Sequence, residues 1–172
     1  MTIQFKVKNQ MLADYLRYLF PPDDGALRLN SEHAIGKLFI AHCHTADRPV
    51  PIMHGDNIVM LRLPLCNATQ SLNNKFLYYS SADIAQLNLA LKAYFDIDFM
   101  GYYRRGEAAE FSKRDIVEAF ILSRRLISSD NFDALHKRVY RRQQEQYATL
   151  QRKLQRKAYY IDESLNTKGI EK

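Results

Sequence analysis

Cysteine is nearly absent from this chain. Cys43 and Cys66 are its two, they form no paired spacing, and so no disulfide framework and no Cys-x-x-Cys metal module can be read. In a reducing compartment they are expected as buried thiols. Glycine is scarce as well, six in 172 residues, which argues against a loop that cradles phosphates. No G-x-x-x-x-G-K-[ST], G-x-G-x-x-G, H-E-x-x-H or G-x-S-x-G motif is present, and nothing calls for a cofactor or a catalytic residue. No apolar run approaches the roughly 18 to 20 residues that span a bilayer. The start, Met1-Thr2-Ile3-Gln4-Phe5-Lys6, lacks the basic opening and apolar stretch of a signal peptide. A cytoplasmic protein with no membrane partner is expected. Internal repeats and low-complexity segments are also lacking.

Apolar residues make up 47% of the chain, with 11 Tyr and 9 Phe, enough for a folded core. Acidic residues run short in one region. Between residues 104 and 157 there are 14 Lys/Arg against 7 Asp/Glu, whereas residues 1–100 hold 9 of each, so the net charge of +6 arises in that third. Charge localised in this way points to a polyanionic partner, and nucleic acid is the commonest.

The patterning predicts an α+β fold, with a mixed αβ region over 1–80, a helical region over 81–160 packed with it as one unit, and a flexible tail over 161–172. Ile3, Phe5 and Val7 alternate with polar residues as in a half-buried strand. Leu12, Tyr15, Leu16 and Leu19 fall at helical spacing over 9–20, and Pro21-Pro22 ends that helix. Asp23-Asp24-Gly25 is a turn, 27–29 a short strand, and Ser31 a cap for a helix whose face is Ile35, Leu38, Phe39 and His42. A loop is expected over 47–57. Strands are expected over 58–63 and 75–79, and 67–74 carries turn residues compatible with a hairpin between them. Ser81 then caps a helix with the stripe Ile84, Leu87, Leu91, Tyr94 and Phe95, continuing toward Gly101 or Gly106.

Ser112-Lys113-Arg114-Asp115 matches the S-x-x-[DE] capping box, so a helix is expected to begin there, with Ile116, Ala119, Phe120 and Ser123 on one face. Residues 126–129 form a short turn before Asp130, a second cap with Asp133 three residues on. The next helix places Phe132, Leu135 and Val139 on one side. At about 100° per residue, Lys137, Arg138, Arg141 and Arg142 lie on an adjacent arc. Two short helices over about 112–142 with a basic second helix outline a helix-turn-helix, although the usual turn glycine is missing. A solvated charged face is the plain alternative. Against it, residues 136–160 hold eight Lys/Arg and the single acid Glu145, too one-sided for the ion pairs that support an exposed helix. The candidate nucleic-acid-binding residues are therefore Arg104, Arg105, Lys113, Arg114, Lys137, Arg138, Arg141 and Arg142.

Tyr102-Tyr103-Arg104-Arg105 and Val139-Tyr140-Arg141-Arg142 set phenols beside guanidiniums, placed either to stack on bases or to cover the edge of a core. Gln143, Gln144 and Gln146 suit adenine edges or simply a helix surface. Tyr140, Gln143, Tyr147, Leu150 and Leu154 follow a coiled-coil seam, which leaves a homodimer or docking on its own chain open. A third constellation, His42-Cys43-His44 with Asp47, His54 and Asp56, has metal-ligand chemistry, but its spacing matches no zinc module. A structural role is expected for it, and no metal.

The segment from Phe111 through Phe120, followed by Phe132-Asp133-Ala134-Leu135 and Tyr140-Arg141-Arg142, resembles the C-terminal end of small proteins carried on bacterial prophages and conjugative elements. The resemblance covers about a third of the chain. It implies a bacterial mobile-element setting, with no activity and no site residues attached. Together these readings predict a non-catalytic DNA-binding protein. The alternatives are an assembly module whose basic helix meets an acidic partner or its own copy, and a metal-dependent enzyme using residues 42–56.

Overall fold

The computed structural model describes residues 1–55, 57–67, 69–126 and 130–168, without the side chains of 130–132, 142–144, 146, 147, 150 and 161–168. The turn expected to end at Ser129, residue Asp56 and the last residues of the tail lie outside that description. The fold is α+β. Strand β1, Thr2–Lys6, buries Ile3 and Phe5, with Val7 just beyond it, as its alternation requires. Helix α1, Gln10–Leu19, is capped by Asn9, whose side chain accepts from the Leu12 amide at 2.9 Å. Asp24 and Gly25 take positive φ, 49° and 74°, and fold β2, Pro22–Asp23, back onto β3, Ala26–Arg28. Helix α2, Ala34–Ala41, starts two residues later than the Ser31 cap expected from sequence, because His33 caps it. Its Nδ1 accepts from the Ile35 amide at 3.2 Å. Burial between the Phe20 and Tyr94 rings, 5.3 and 5.2 Å away, lowers the His33 pKa and keeps that nitrogen available as an acceptor.

Strand β4, His44–Ala46, was not expected, and it corrects the predicted hairpin. β5, Ile58–Arg62, and β6, Phe76–Tyr78, do not pair. The first sheet has the order β1-β5-β3-β2, and β6 pairs with β4 in a second. Partners distant in sequence won over the local turn.

Helix α3, Ser81–Ala108, is capped by Ser80 and not Ser81, with Asp83 completing a capping box. It runs through Gly101 and Gly106. At Gly106 a Cβ would stand 2.6 Å from Ile116 Cγ1, so the glycine admits helix α4, Lys113–Ser123, to close packing. Ser112 caps α4 as the motif predicts, accepting from the Asp115 amide at 3.1 Å. Its buried set is Ile116, Val117 and Phe120, so Val117 takes the place expected for Ala119. Both helices end with a left-handed non-glycine residue, Glu110 at φ 61° and Arg125 at φ 53°. In each case the next amide bonds back across the last turn, Phe111 to Gly106 and Leu126 to Ile121.

Aromatic rings join these elements into one core. Phe5 meets Phe39 at 4.8 Å, Tyr15 meets Phe95 at 5.0 Å, and Phe99 meets Phe120 at 4.9 Å. Helix α5, Asp130–Lys168, continues through 161–168, where a tail was expected, since no proline or glycine interrupts it before Gly169. The chain divides into two compact units, Met1–Asn131 and Phe132–Lys172, and the helical region of 81–160 is split between them. Among the described residues no helix is long and apolar enough to cross a membrane.

Candidate nucleic-acid interface

The eight candidate cations divide equally between the two units. Arg104 and Arg105 sit exposed near the end of α3, and Lys113 and Arg114 in the first turn of α4. Arg114 is already engaged: its Nε donates to Glu118 Oε1 at 2.9 Å, an exposed i,i+4 pair. The dipole at the first turn of a helix attracts anions, which adds to the attraction of Lys113 and Arg114.

On α5 the arrangement is different. Lys137 and Arg141 are exposed, Arg138 is half-buried, and the side chain of Arg142 is outside the described set. Every residue from 151 to 160 is exposed, which adds Arg152, Lys153, Arg156 and Lys157 to the cations available. At about 100° per residue, Lys137, Arg138, Arg141, Arg152, Arg156 and Tyr159 share an arc of about 100°. From 137 to 156 that ridge is about 29 Å long at the helical rise. Leu135 and Val139 are buried on the adjacent face of the helix, as the sequence pattern requires. Tyr140 and Leu154 are also off the ridge and are 61% and 58% exposed.

The tyrosines separate by role. Tyr103 is buried, and Tyr102 lies against Phe120 at 5.5 Å and under the Arg124 guanidinium at 5.6 Å. Tyr102 and Tyr103 are therefore core cover, not a stacking platform. Arg124, in the same basic third of the chain, is bound within the fold: Nε and Nη2 donate to the two oxygens of Asp98 at 2.9 and 3.0 Å. Tyr15 donates its hydroxyl to Asp98 at 3.0 Å. Burial and that carboxylate hold the Tyr15 phenol well above its ordinary pKa, so it donates as a neutral group.

The histidine constellation gathers around a residue its spacing did not reveal. His42 Nδ1 lies 2.8 Å from one oxygen of Asp83, and His44 Nε2 lies 2.9 Å from the other. The Ser80 hydroxyl also bonds Asp83. That hydroxyl, then His42, hold the Asp83 carboxyl well below the usual carboxylate range, against a smaller opposing effect of burial and with His44 adding to the lowering. Asp83 therefore accepts from both rings while it completes the capping box of α3. Burial pushes the Cys43 thiol up to about 11, leaving it protonated at neutral pH and a poor ligand or nucleophile. Asp47 and His54 are exposed. Among the described residues no three His, Cys, Asp or Glu side chains are placed to hold a metal ion.

Comparison with protein-family models, curated proteins and solved structures finds no match for this chain.

Proposed function

We propose that this chain is a non-catalytic nucleic-acid-binding protein that takes duplex DNA, in a regulatory or mobile-element-maintenance role. The basic ridge of α5 carries the reading. Its cations are spaced along about 29 Å of helix, close to the roughly 34 Å of one duplex turn. Among them stands Glu145 as the one acid between 136 and 160. In the helix-turn-helix form of this reading, α4 is the first helix and the start of α5 enters the major groove.

The test is fluorescence-anisotropy titration of a labelled 20-base-pair duplex with the full chain and with the double variant Arg141→Glu, Arg156→Glu. Each change removes an attraction and adds a repulsion, and affinity is expected to fall at least tenfold. Both sites are exposed, so melting should stay within the roughly 0.5 kcal/mol typical of surface substitutions. Unchanged affinity in a folded variant overturns the assignment of the ridge.

Exposed Tyr140 and Leu154 favour a second reading, in which α5 serves assembly with its own copy or with an acidic protein. Competition distinguishes the two. DNA that fails to displace a captured acidic partner, or a dimer indifferent to DNA, supports assembly.

A further inference from the structure

The outer edge of β1 carries main-chain groups that no strand takes up. In its pairing with β5, the Leu63 amide donates to Met1 C=O at 3.1 Å and the Val7 amide donates to Asn57 C=O at 2.9 Å. Ile3 pairs with Leu61 and Phe5 with Val59. Antiparallel strands alternate between residue pairs that exchange both bonds and pairs that exchange none. Residues 1, 3, 5 and 7 therefore bond to β5, and the main-chain groups of Thr2, Gln4, Lys6 and Lys8 point away from it. At one end Asn88 takes them. Its Oδ1 accepts from the Lys8 amide at 2.8 Å and its Nδ2 donates to Lys6 C=O at 2.9 Å. At Thr2 and Gln4 the outward main-chain groups have no partner among the described residues.

That open stretch faces a groove of about 530 Å³. Its far wall is β6, which neighbours β1 but belongs to the other sheet. Ile52 and Phe76, 68% and 45% exposed, supply apolar wall, and Met60 and Tyr78 line it too. Lys75 stands exposed on the rim.

We propose that this groove binds an extended peptide that adds as a strand to β1 at Thr2 and Gln4, with apolar side chains on Phe76 and Ile52 and an acidic residue toward Lys75. The choice of occupant follows from the row of donors and acceptors. They recur every second residue, about 6.8 Å apart, a spacing that another extended backbone matches and a compact small molecule does not. The Asn88 cap shows the same edge closed by a side-chain amide where the peptide does not run.

The test pans the full chain against phage-displayed random nonapeptides and titrates the enriched sequences as synthetic peptides by calorimetry. Strand addition predicts enrichment of sequences with alternating apolar residues. A single backbone N-methyl group walked along such a peptide should weaken binding at every second position and spare those between. Thr2→Pro removes one outward amide and no ladder bond, and is tolerated at the start of an edge strand. It should weaken binding at least fivefold, with Thr2→Val within twofold. Failure to enrich any peptide, or N-methyl losses without the two-residue period, overturns the proposal even if the proline variant does not fold. A dimer that Thr2→Pro dissociates, with no peptide enriched, overturns it in favour of a second copy.

Discussion

Asn88 ties the end of the first strand to the longest helix of the first unit by two hydrogen bonds, to Lys8 and Lys6, and bonds the Ile84 carbonyl of its own helix at 2.8 Å. It is 8% exposed. Asparagine is a mediocre helix residue, so nothing in its local sequence explains it; the explanation is a strand edge 80 and 82 positions away. Asn88→Ala leaves two edge groups to water and is expected to cost about 1–2 kcal/mol, partly offset by the better helix propensity of alanine. Chemical denaturation at neutral pH measures it, and an unchanged midpoint would show that solvent serves the edge equally well. Local signals succeeded where a residue acts on its own neighbours, as Ser112 does. They slipped where two serines stand side by side: Ser80 caps, because Asp83 lies three residues after it. Asp83 also escaped the histidine constellation, since it is 41 and 39 positions from its partners and spacing arguments do not reach that far.

Elements show the same division. β1 was legible from its alternation and α1 from its 3.6-residue stripe and terminal prolines. β4 was not, because three residues, two of them exposed, offer no alternation to read. The β5–β6 hairpin failed because register and partner choice are set by burial across the sheet. The corner of α1, α3 and α4 is held by Asp98, Arg124 and Tyr15. Burial raises the Asp98 pKa, but hydrogen bonds from Arg124 and Tyr15 and the Arg124 charge outweigh it, and the net shift is downward. A carboxyl depressed in the folded state stabilises above its unfolded pKa, about 3.9, and that contribution is lost as pH falls through the folded value. Asp98→Asn should therefore destabilise by about 2–3 kcal/mol at pH 7 and flatten the dependence of stability on pH below about 4. Parallel pH profiles of the two proteins would contradict this.

Across the whole molecule, charge is distributed unevenly. Residues 1–100 are balanced, and the basic residues of α3 and α4 include Arg114 and Arg124, which are engaged in ion pairs. On α5, Lys137, Arg138, Arg141, Arg152 and Arg156 share one arc, and residues 151–160 of that helix are all exposed. This concentration was readable in the sequence, because charge counting needs no tertiary knowledge. The engagement of Arg124 and the burial of Tyr103 were not readable, because they depend on which helices meet. If the ridge neutralises phosphates, binding must release condensed counterions in proportion to the contacts made. The deciding measurement is the affinity of the full chain for one duplex across a series of salt concentrations. The four exposed cations of the ridge, Lys137, Arg141, Arg152 and Arg156, predict a slope of log K against log salt of about −3 to −4; a slope near zero, or no binding at low salt by a protein shown to be folded, would contradict the account.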